Sequence, residues 1–464
     1  MVLFIIILGF LVVIPLLSII RDTFIVHPSE KSRVHQAVGT FTTYHWKRLF
    51  ASEFSKSLLW DPLKNSIKTS ALTCIVSILI GGTFAWLVSR SDMLWKPLLT
   101  KLFIFPYIMP SWTLALAWKN FFKNVEITGS NGIFYSLTGI QVPTWFAYGE
   151  FPITIVTGMH YAPFAYILIG GILHNMDANL EEAAIILKTN RLRMFWRITI
   201  PIVMPAVLST IILVFSGAMA SFATPQFLGL PVRYFVLTTE LYASINGTNP
   251  GVGYILAMVM ILISVVIMYI NQRMIGSRKS YATVTGKSAN ISIFHLGAWR
   301  TPISLLMFML VMCMSVIPLV TFALESLLAY TGVYDFNNLT LSFWIGQAQG
   351  HDTWQSESGI LRNREVYRTL WNSLKLSFTC SLGAGTLGFL AGYCIVRRRG
   401  SFLSRLVEDL TFIPYLIPSM AFSAIYLSMF ATKRGIIPSL YGSFAILALI
   451  GTIKYLPMAS RSGV

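Results

Sequence analysis

The sequence predicts an all-α, polytopic membrane protein, and three observations carry that prediction. Of its 464 residues 55% are hydrophobic and only 11% charged, against roughly 25% charged in an ordinary globular domain. Apolar runs long enough to cross about 30 Å of hydrocarbon recur along the whole chain. The runs also fall into two similar series. A mean hydropathy of +0.67 leaves far more apolar surface than one core hides, which excludes a soluble enzyme and a disordered scaffold. The net charge of +17 belongs in loops beside a lipid bilayer, where Lys and Arg mark the cytoplasmic side. It does not form a basic face on a soluble domain, so no nucleic-acid partner is expected.

The spans are expected at 2–20, 66–88, 98–118, 153–174, 200–222, 252–270, 302–324, 373–396, 404–430 and 441–458. The first lacks a basic leader and runs past Pro15 into Arg21 and Asp22, so it reads as a retained helix. Pro106 and Pro110 interrupt the third, and Pro414 and Pro418 the ninth. Such breaks persist in lipid only where neighbouring protein satisfies the freed backbone groups. These four prolines therefore mark the helices expected to form a translocation path or its gate. Basic residues follow the second, fourth, sixth and eighth spans: Arg90, Lys96 and Lys101; Lys188, Arg191, Arg193 and Arg197; Arg273 to Arg300; and Arg397 to Arg405. Alternation puts all four loops on one side, expected to be cytoplasmic. The loop 21–65 would be external in spite of its own Lys and Arg. Cys74, Cys313, Cys380 and Cys394 lie in apolar stretches without metal-site or redox spacing and read as small apolar residues.

Self-comparison explains the two series. Val13-Ile14-Pro15-Leu16 recurs as Val316-Ile317-Pro318-Leu319, and Asn65-Ser66-Ile67-Lys68 as Asn372-Ser373-Leu374-Lys375. Pro106-Tyr107-Ile108-Met109-Pro110-Ser111 recurs as Pro414-Tyr415-Leu416-Ile417-Pro418-Ser419, and Tyr161-Ala162-Pro163 as Tyr455-Leu456-Pro457. The order is kept while the offset drifts from 303 through 308 to 294. Six spans separate the starts of the copies, so the repeats are expected to run parallel. The expected organisation is a first module at 1–275 with six spans, a cytoplasmic linker at 276–300 and a second module at 301–464 with four. The counterpart of Glu182 would fall beyond Val464, which predicts that the second module is truncated and its counterpart of the 175–201 loop absent.

The polar loop at about 175–201 is the most informative segment. Asp177 or Asn179 suits a helix N-cap, with Glu181 and Glu182 in the first turn, where negative charge meets the positive end of the dipole. Leu180, Ala183, Ala184 and Leu187 share one face. A short amphipathic helix held between two spans can dock into a groove of a soluble partner and pass its motion to the helices at its ends. Glu182-Ala183-Ala184, Lys188 six residues after the Glu, and Ile198-Thr199-Ile200-Pro201 resemble the EAA loop of bacterial ABC-importer permeases. That pattern is EAA, three residues, Gly, about nine residues, then I-x-L-P; here Lys188 replaces the Gly and Ile200 the Leu.

The resemblance implies a type I ABC-importer permease fold in two tandem parallel repeats, in a bacterial cytoplasmic (inner) membrane. It makes residues 175–201 the coupling loop, with Glu182 meeting an ATPase subunit, Ala183 and Ala184 packing in its groove, and Lys188, Ile198 and Pro201 shaping the turn and return. It implies two ABC ATPase subunits and an extracytoplasmic substrate-binding protein as partners. No cofactor or metal is expected in the chain itself, because ATP is used by the partner. Two fused modules are similar to iron(III)-type importer permeases, and Ala223–Pro231 with Leu237–Tyr242 resembles a segment of that group. Polyamine, thiamine and phosphonate permeases remain as alternatives.

Other signals have plainer readings. Gly383, Gly385 and Gly388 match GxGxxG, but inside a span they suit close helix packing better than a dinucleotide. No GxxxxGK[ST] is present, so the chain has no P-loop of its own. An ion-coupled secondary transporter is the rival class, and it needs charges in mid-membrane. Lys68 and Lys375 read as snorkelling at span ends, His160 as a satisfied structural histidine, and Arg233 and Glu240 as solvated groups at the outer end of the fifth span.

Overall fold

The computed structural model describes residues 1–176, 186–276, 293–347, 357–433, 435 and 438–462. Among them there is no strand, only three isolated bridges: Ile25 with Phe41, Ser91 with Phe294, and Leu328 with Leu339. The principal helices are α1 (Val2–Asp22), α2 (Lys56–Arg90), α3 (Lys96–Ile108), α4 (Ser111–Phe122), α5 (Glu150–Asn175), α6 (Phe195–Met219) and α7 (Leu237–Asn246). They continue with α8 (Pro250–Gly276), α9 (Arg300–Glu325), α10 (Arg364–Arg397), α11 (Phe402–Leu416), α12 (Ser419–Phe430) and α13 (Phe444–Ser462).

Two of the expected spans are not single helices. Instead of one helix over 98–118, α3 and α4 meet at a 99° bend, and instead of one over 404–430, α11 and α12 meet at 103°. Among the described residues seven helices are long and apolar enough to cross a membrane, or nine if each bent pair counts as one. Several run beyond the apolar core read from sequence. α2 begins at Lys56 and α10 at Arg364, because polar turns before each apolar run continue the helix.

Proline also explains three wider, π-type turns. Gly9–Val13 precedes Ile14-Pro15, Lys56–Trp60 precedes Asp61-Pro62, and Phe195–Thr199 precedes Ile200-Pro201. In each, the residue just before the proline donates its N–H five residues back: Ile14 to Gly9, Asp61 to Lys56 and Ile200 to Phe195. A proline ring clashes with the carbonyl four residues earlier and offers no N–H to it. Inserting one residue into the turn relieves both problems without ending the helix.

The described chain divides into two compact units, one formed by Lys64–Phe235 with Tyr269–Leu341, the other by Met1–Leu63, Val236–Met268 and Ser342–Val464. In the first unit α3 packs on α5 and α9, and α4 on α9 and the helical turn Ala223–Leu228. Its core gathers Phe84, Leu87, Met93, Leu99, Phe103, Ala162, Met307, Val311 and Met314. The Phe84 and Phe103 rings stack there with centroids 3.9 Å apart. Phe84 comes from α2, Phe103 from α3, Ala162 from α5 and Met314 from α9, so one cluster fixes four helices.

In the other unit α1 packs on α11 and α12, and α10 on α13. Each unit thus holds the opening helix of one sequence copy against the broken helix pair of the other. The segment after α1 is tied down by a buried pair, in which His45 Nε2 meets Glu30 Oε2 at 2.7 Å and the Gly251 N–H donates to Glu30 Oε1. Burial pushes the Glu30 carboxyl up, but the His45 hydrogen bond and charge, then His27 and Gly251, outweigh it and hold it below its usual 4.5.

The glycine pattern in α10 is a packing device. A Cβ on Gly388 would lie 2.5 Å from the Ala459 Cβ of α13, and one on Gly383 2.7 Å from the Thr452 hydroxyl. In α2, a Cβ on Gly81 would lie 2.8 Å from the Ala165 Cβ of α5. Gly81 and Gly388 stand at matching distances from Asn65 and Asn372, so the same close approach of two helices occurs at matching places in the two copies.

Candidate functional site: two proline-broken helices and the lever beside them

A proline four residues after a carbonyl removes that carbonyl's helical donor. In Pro106-x-x-x-Pro110 the first proline deprives Leu102 O and the second deprives Pro106 O. The structure fills both from neighbouring helices. Ser315 Oγ of α9 donates to Leu102 O at 2.6 Å, and His160 Nδ1 of α5 donates to Pro106 O at 2.9 Å. A carbonyl acceptor requires Nδ1 to carry the proton. In Pro414-x-x-x-Pro418 the second proline deprives Pro414 O, and the Lys454 ammonium of α13 donates to it at 3.1 Å and to Ile417 O at 2.5 Å. The same rule holds in α1, where Pro15 deprives Leu11 O and Tyr426 Oη donates to it at 2.6 Å.

The break itself lies at Met109-Pro110 and at Ile417-Pro418. Met109 and Ile417 are extended, and Pro110 and Pro418 cap the helices that follow. Pro106 and Pro414 sit inside α3 and α11. The four prolines therefore have two roles: the second of each pair ends the helix, and the first sets the carbonyl that a cross-helix donor must satisfy.

His160 is a satisfied histidine, and its partner is what sequence reading did not supply. His160 and Lys454 each precede the matched tyrosines Tyr161 and Tyr455, and that placement was the available signal. Ser315 had none. Lys68 does not simply snorkel, because its Nζ lies 2.8 Å from Glu150 Oε2.

α5 leads straight to the loop expected at 175–201. Its C-terminal carbonyls are held by Arg90, which is 2% exposed and donates through Nη2 to Leu173 O at 2.9 Å and Met176 O at 2.8 Å. A cation at a helix C-terminus complements its negative end. Glu182, Ala183 and Ala184, with Asp177, Asn179, Leu180 and Glu181, lie outside the described residues. The return of the loop is described. Lys188 has φ +55°, the left-handed conformation that glycine adopts without cost. Ile186 and Leu187 are 80% and 79% exposed. Arg191–Met194 forms a helical turn, Ile198 lies in the wide turn, and Pro201 stands in the turn after it.

Beyond α6, Arg233 is exposed, as expected, but Glu240 is half-buried in α7. Burial pushes its carboxyl up to about 7, against a hydrogen bond with Ser244. On the other side of α2, Asp92 accepts from the Leu296 N–H at 3.0 Å, and its main-chain carbonyl accepts from Arg300 Nε. Its carboxyl is held below the usual range chiefly by that backbone bond. Among the described residues no group of three or more His, Cys, Asp or Glu side chains is placed to hold a metal ion.

Several known proteins resemble this chain over part or most of its length. Residues 75–281 match the family of binding-protein-dependent transport system inner membrane components. The chain is 25% identical over 420 residues to the permease protein FbpB 1 of Haemophilus influenzae, covering 88% of this chain and 62% of that protein. It is also 25% identical over 418 residues to the ferric transport system permease protein FbpB of Actinobacillus pleuropneumoniae, covering 87% of this chain and 56% of the relative. The spermidine/putrescine transport system permease protein PotB of Haemophilus influenzae matches at 29% over 171 residues, 36% of this chain and 57% of that one. The chain thus spans less than two thirds of the length of these relatives. A crystal structure of a bacterial ABC transporter that imports alginate aligns over 54% of this chain and 87% of its own, at 15% identity and a TM-score of 0.41. The helices are those of a multi-pass membrane protein, and residues 75–281 are similar to the inner membrane components of binding-protein-dependent transport systems. Along most of its length it resembles the ferric transport permeases.

Proposed function

We propose that the chain is the membrane permease of an ATP-driven importer, and that its cargo is iron(III) handed over by an external binding protein. The observation that carries this reading is the match over residues 75–281, which encloses the entire loop 175–201. The resemblance to two ferric transport permeases over most of the chain supports the cargo. The shorter match to a spermidine/putrescine permease supports a polyamine as the second reading.

In this mechanism two ATPase subunits supply the energy, and Glu182, Ala183 and Ala184 are the residues that meet one of them. The exposed Ile186 and Leu187 beside them give that partner apolar surface to bury. Lys188 turns the chain, and Ile198 and Pro201 carry it back into α6. Motion of the docked loop passes into α5 on one side and α6 on the other. The broken pairs α3–α4 and α11–α12 are the gate elements, because a helix already interrupted at Pro110 or Pro418 can change its bend without breaking further hydrogen bonds. The matched prolines, glycines and cross-helix donors support a duplicated permease module with the linker at 276–300.

Purification from native membranes tests this function. An ATPase subunit that stays bound to the chain, with uptake of iron(III) that needs ATP, is the expected result. Proton- or sodium-driven uptake by the chain without an ATPase contradicts it, and ATP-dependent uptake of a polyamine moves the cargo to the second reading.

A further inference from the structure

We propose that His160 is a positioning residue that ties the motion of the coupling loop to the broken helix, and that Lys454 is its counterpart in the second copy. The inference rests on the coupling role proposed above for residues 175–201. α5 is one continuous helix from Glu150 to Asn175, and the loop begins where it ends. His160 lies 15 residues before that end, or about 22 Å along the axis. Arg90 fixes the far end through Leu173 O and Met176 O, so displacement of the loop root is a displacement of the whole helix.

Where α5 passes the α3–α4 break, its polar tie is the hydrogen bond from His160 Nδ1 to Pro106 O. That carbonyl has no helical donor, because Pro110 occupies the fourth position after it. A carbonyl in this state accepts from α5 or is left unsatisfied, and an unsatisfied buried acceptor is costly. The bend of the break is therefore bound to the position of α5. Packing alone does not require a donor here, yet the second copy places one at the matching position with different chemistry. Lys454, just before Tyr455 as His160 is just before Tyr161, donates to Pro414 O and Ile417 O of the α11–α12 break. An imidazole and an ammonium differ in shape and basicity, and the property both bring to the carbonyl is a donated N–H.

The test uses the full transporter, with its ATPase subunits and binding protein, in lipid vesicles, and measures uptake per ATP hydrolysed. His160→Leu keeps bulk and removes the donor, while His160→Asn places an amide N–H close to the position of Nδ1. The leucine variant is expected to lose about tenfold in uptake per ATP, as losing one buried hydrogen bond implies, with ATPase binding retained. The asparagine variant is expected to recover most of the wild-type ratio. A leucine variant that couples as well as wild type overturns the inference, and so does an asparagine variant as deficient as leucine. If the leucine variant does not assemble, Lys454→Met against Lys454→Arg makes the same contrast, and equal ratios overturn it. Wild-type uptake that ignores ATP overturns the proposed function and this inference together; a wild type that couples beside a leucine variant that couples equally overturns this inference alone.

Discussion

Arg90 places its guanidinium 2.8 Å from the carbonyl oxygen of Met176, the residue that caps the end of α5. A buried arginine at the end of one span thereby closes the end of another, just before the loop proposed to couple the chain to an ATPase. Hydrogen bonds to charged groups contribute about 1.5–3 kcal/mol each, and this one has a companion at Leu173 O. Arg90→Ala is expected to lower stability by roughly 2–4 kcal/mol, read as a lower midpoint in thermal unfolding of the solubilised protein. Arg90→Lys recovers part of it, since an ammonium reaches one carbonyl more easily than two. An unchanged midpoint for the alanine variant contradicts the role given to Arg90.

Lys188 has the opposite character, a residue that strains its own backbone. An L-residue in the left-handed region costs roughly 1–2 kcal/mol, and glycine does not bear that cost. Lys188 is exposed and its φ is +55°. Lys188→Gly is therefore expected to stabilise the loop by up to about 1 kcal/mol, less what glycine loses in unfolded-state entropy. Hydrogen exchange at residues 188–194 checks this. Faster exchange in the glycine variant contradicts the assignment of strain.

Glu240 sets a pH dependence whose sign is fixed by its environment. Burial disfavours the charged form and pushes its carboxyl from the usual 4.5 up to about 7. A raised carboxyl means that the folded state binds its proton more tightly than the unfolded one. The contribution to stability is complete below 4.5 and is lost as pH rises through about 7. Glu240→Gln should remove this dependence and leave the variant more stable than wild type above neutrality. Unfolding midpoints across that range decide it, and parallel curves for the two proteins contradict it.

Much of this structure was legible in the sequence, in proportion to how local its cause is. The spans follow from composition. The two breaks follow from Pro106-x-x-x-Pro110 and Pro414-x-x-x-Pro418, although a one-dimensional reading gave each pair as one span. An apolar run reports that a segment enters the membrane and not that it turns by 99° within it. The packing of Gly383 and Gly388 was readable because small residues inside a span have few other uses. The cross-helix donors were not readable as donors. Ser315 is an unremarked serine in an apolar helix, and nothing in its neighbours names Leu102 as its partner. His160 and Lys454 were visible as matched positions but not as matched hydrogen bonds, because their acceptors lie 54 and 40 residues away along the chain. Glu240 reads as solvated from the sequence because a charged residue near a span end is usually wet, whereas its half-burial depends on how α7 packs.

The central claim is that residues 175–201 couple an ATPase to this chain, with Glu182 as the contact. ATP-driven uptake by the assembled transporter carrying Glu182→Ala tests it most directly, with insertion into the membrane as the control. A protein that inserts normally, holds its helices and has lost uptake is the result expected. Uptake at the wild-type rate by that variant contradicts the account.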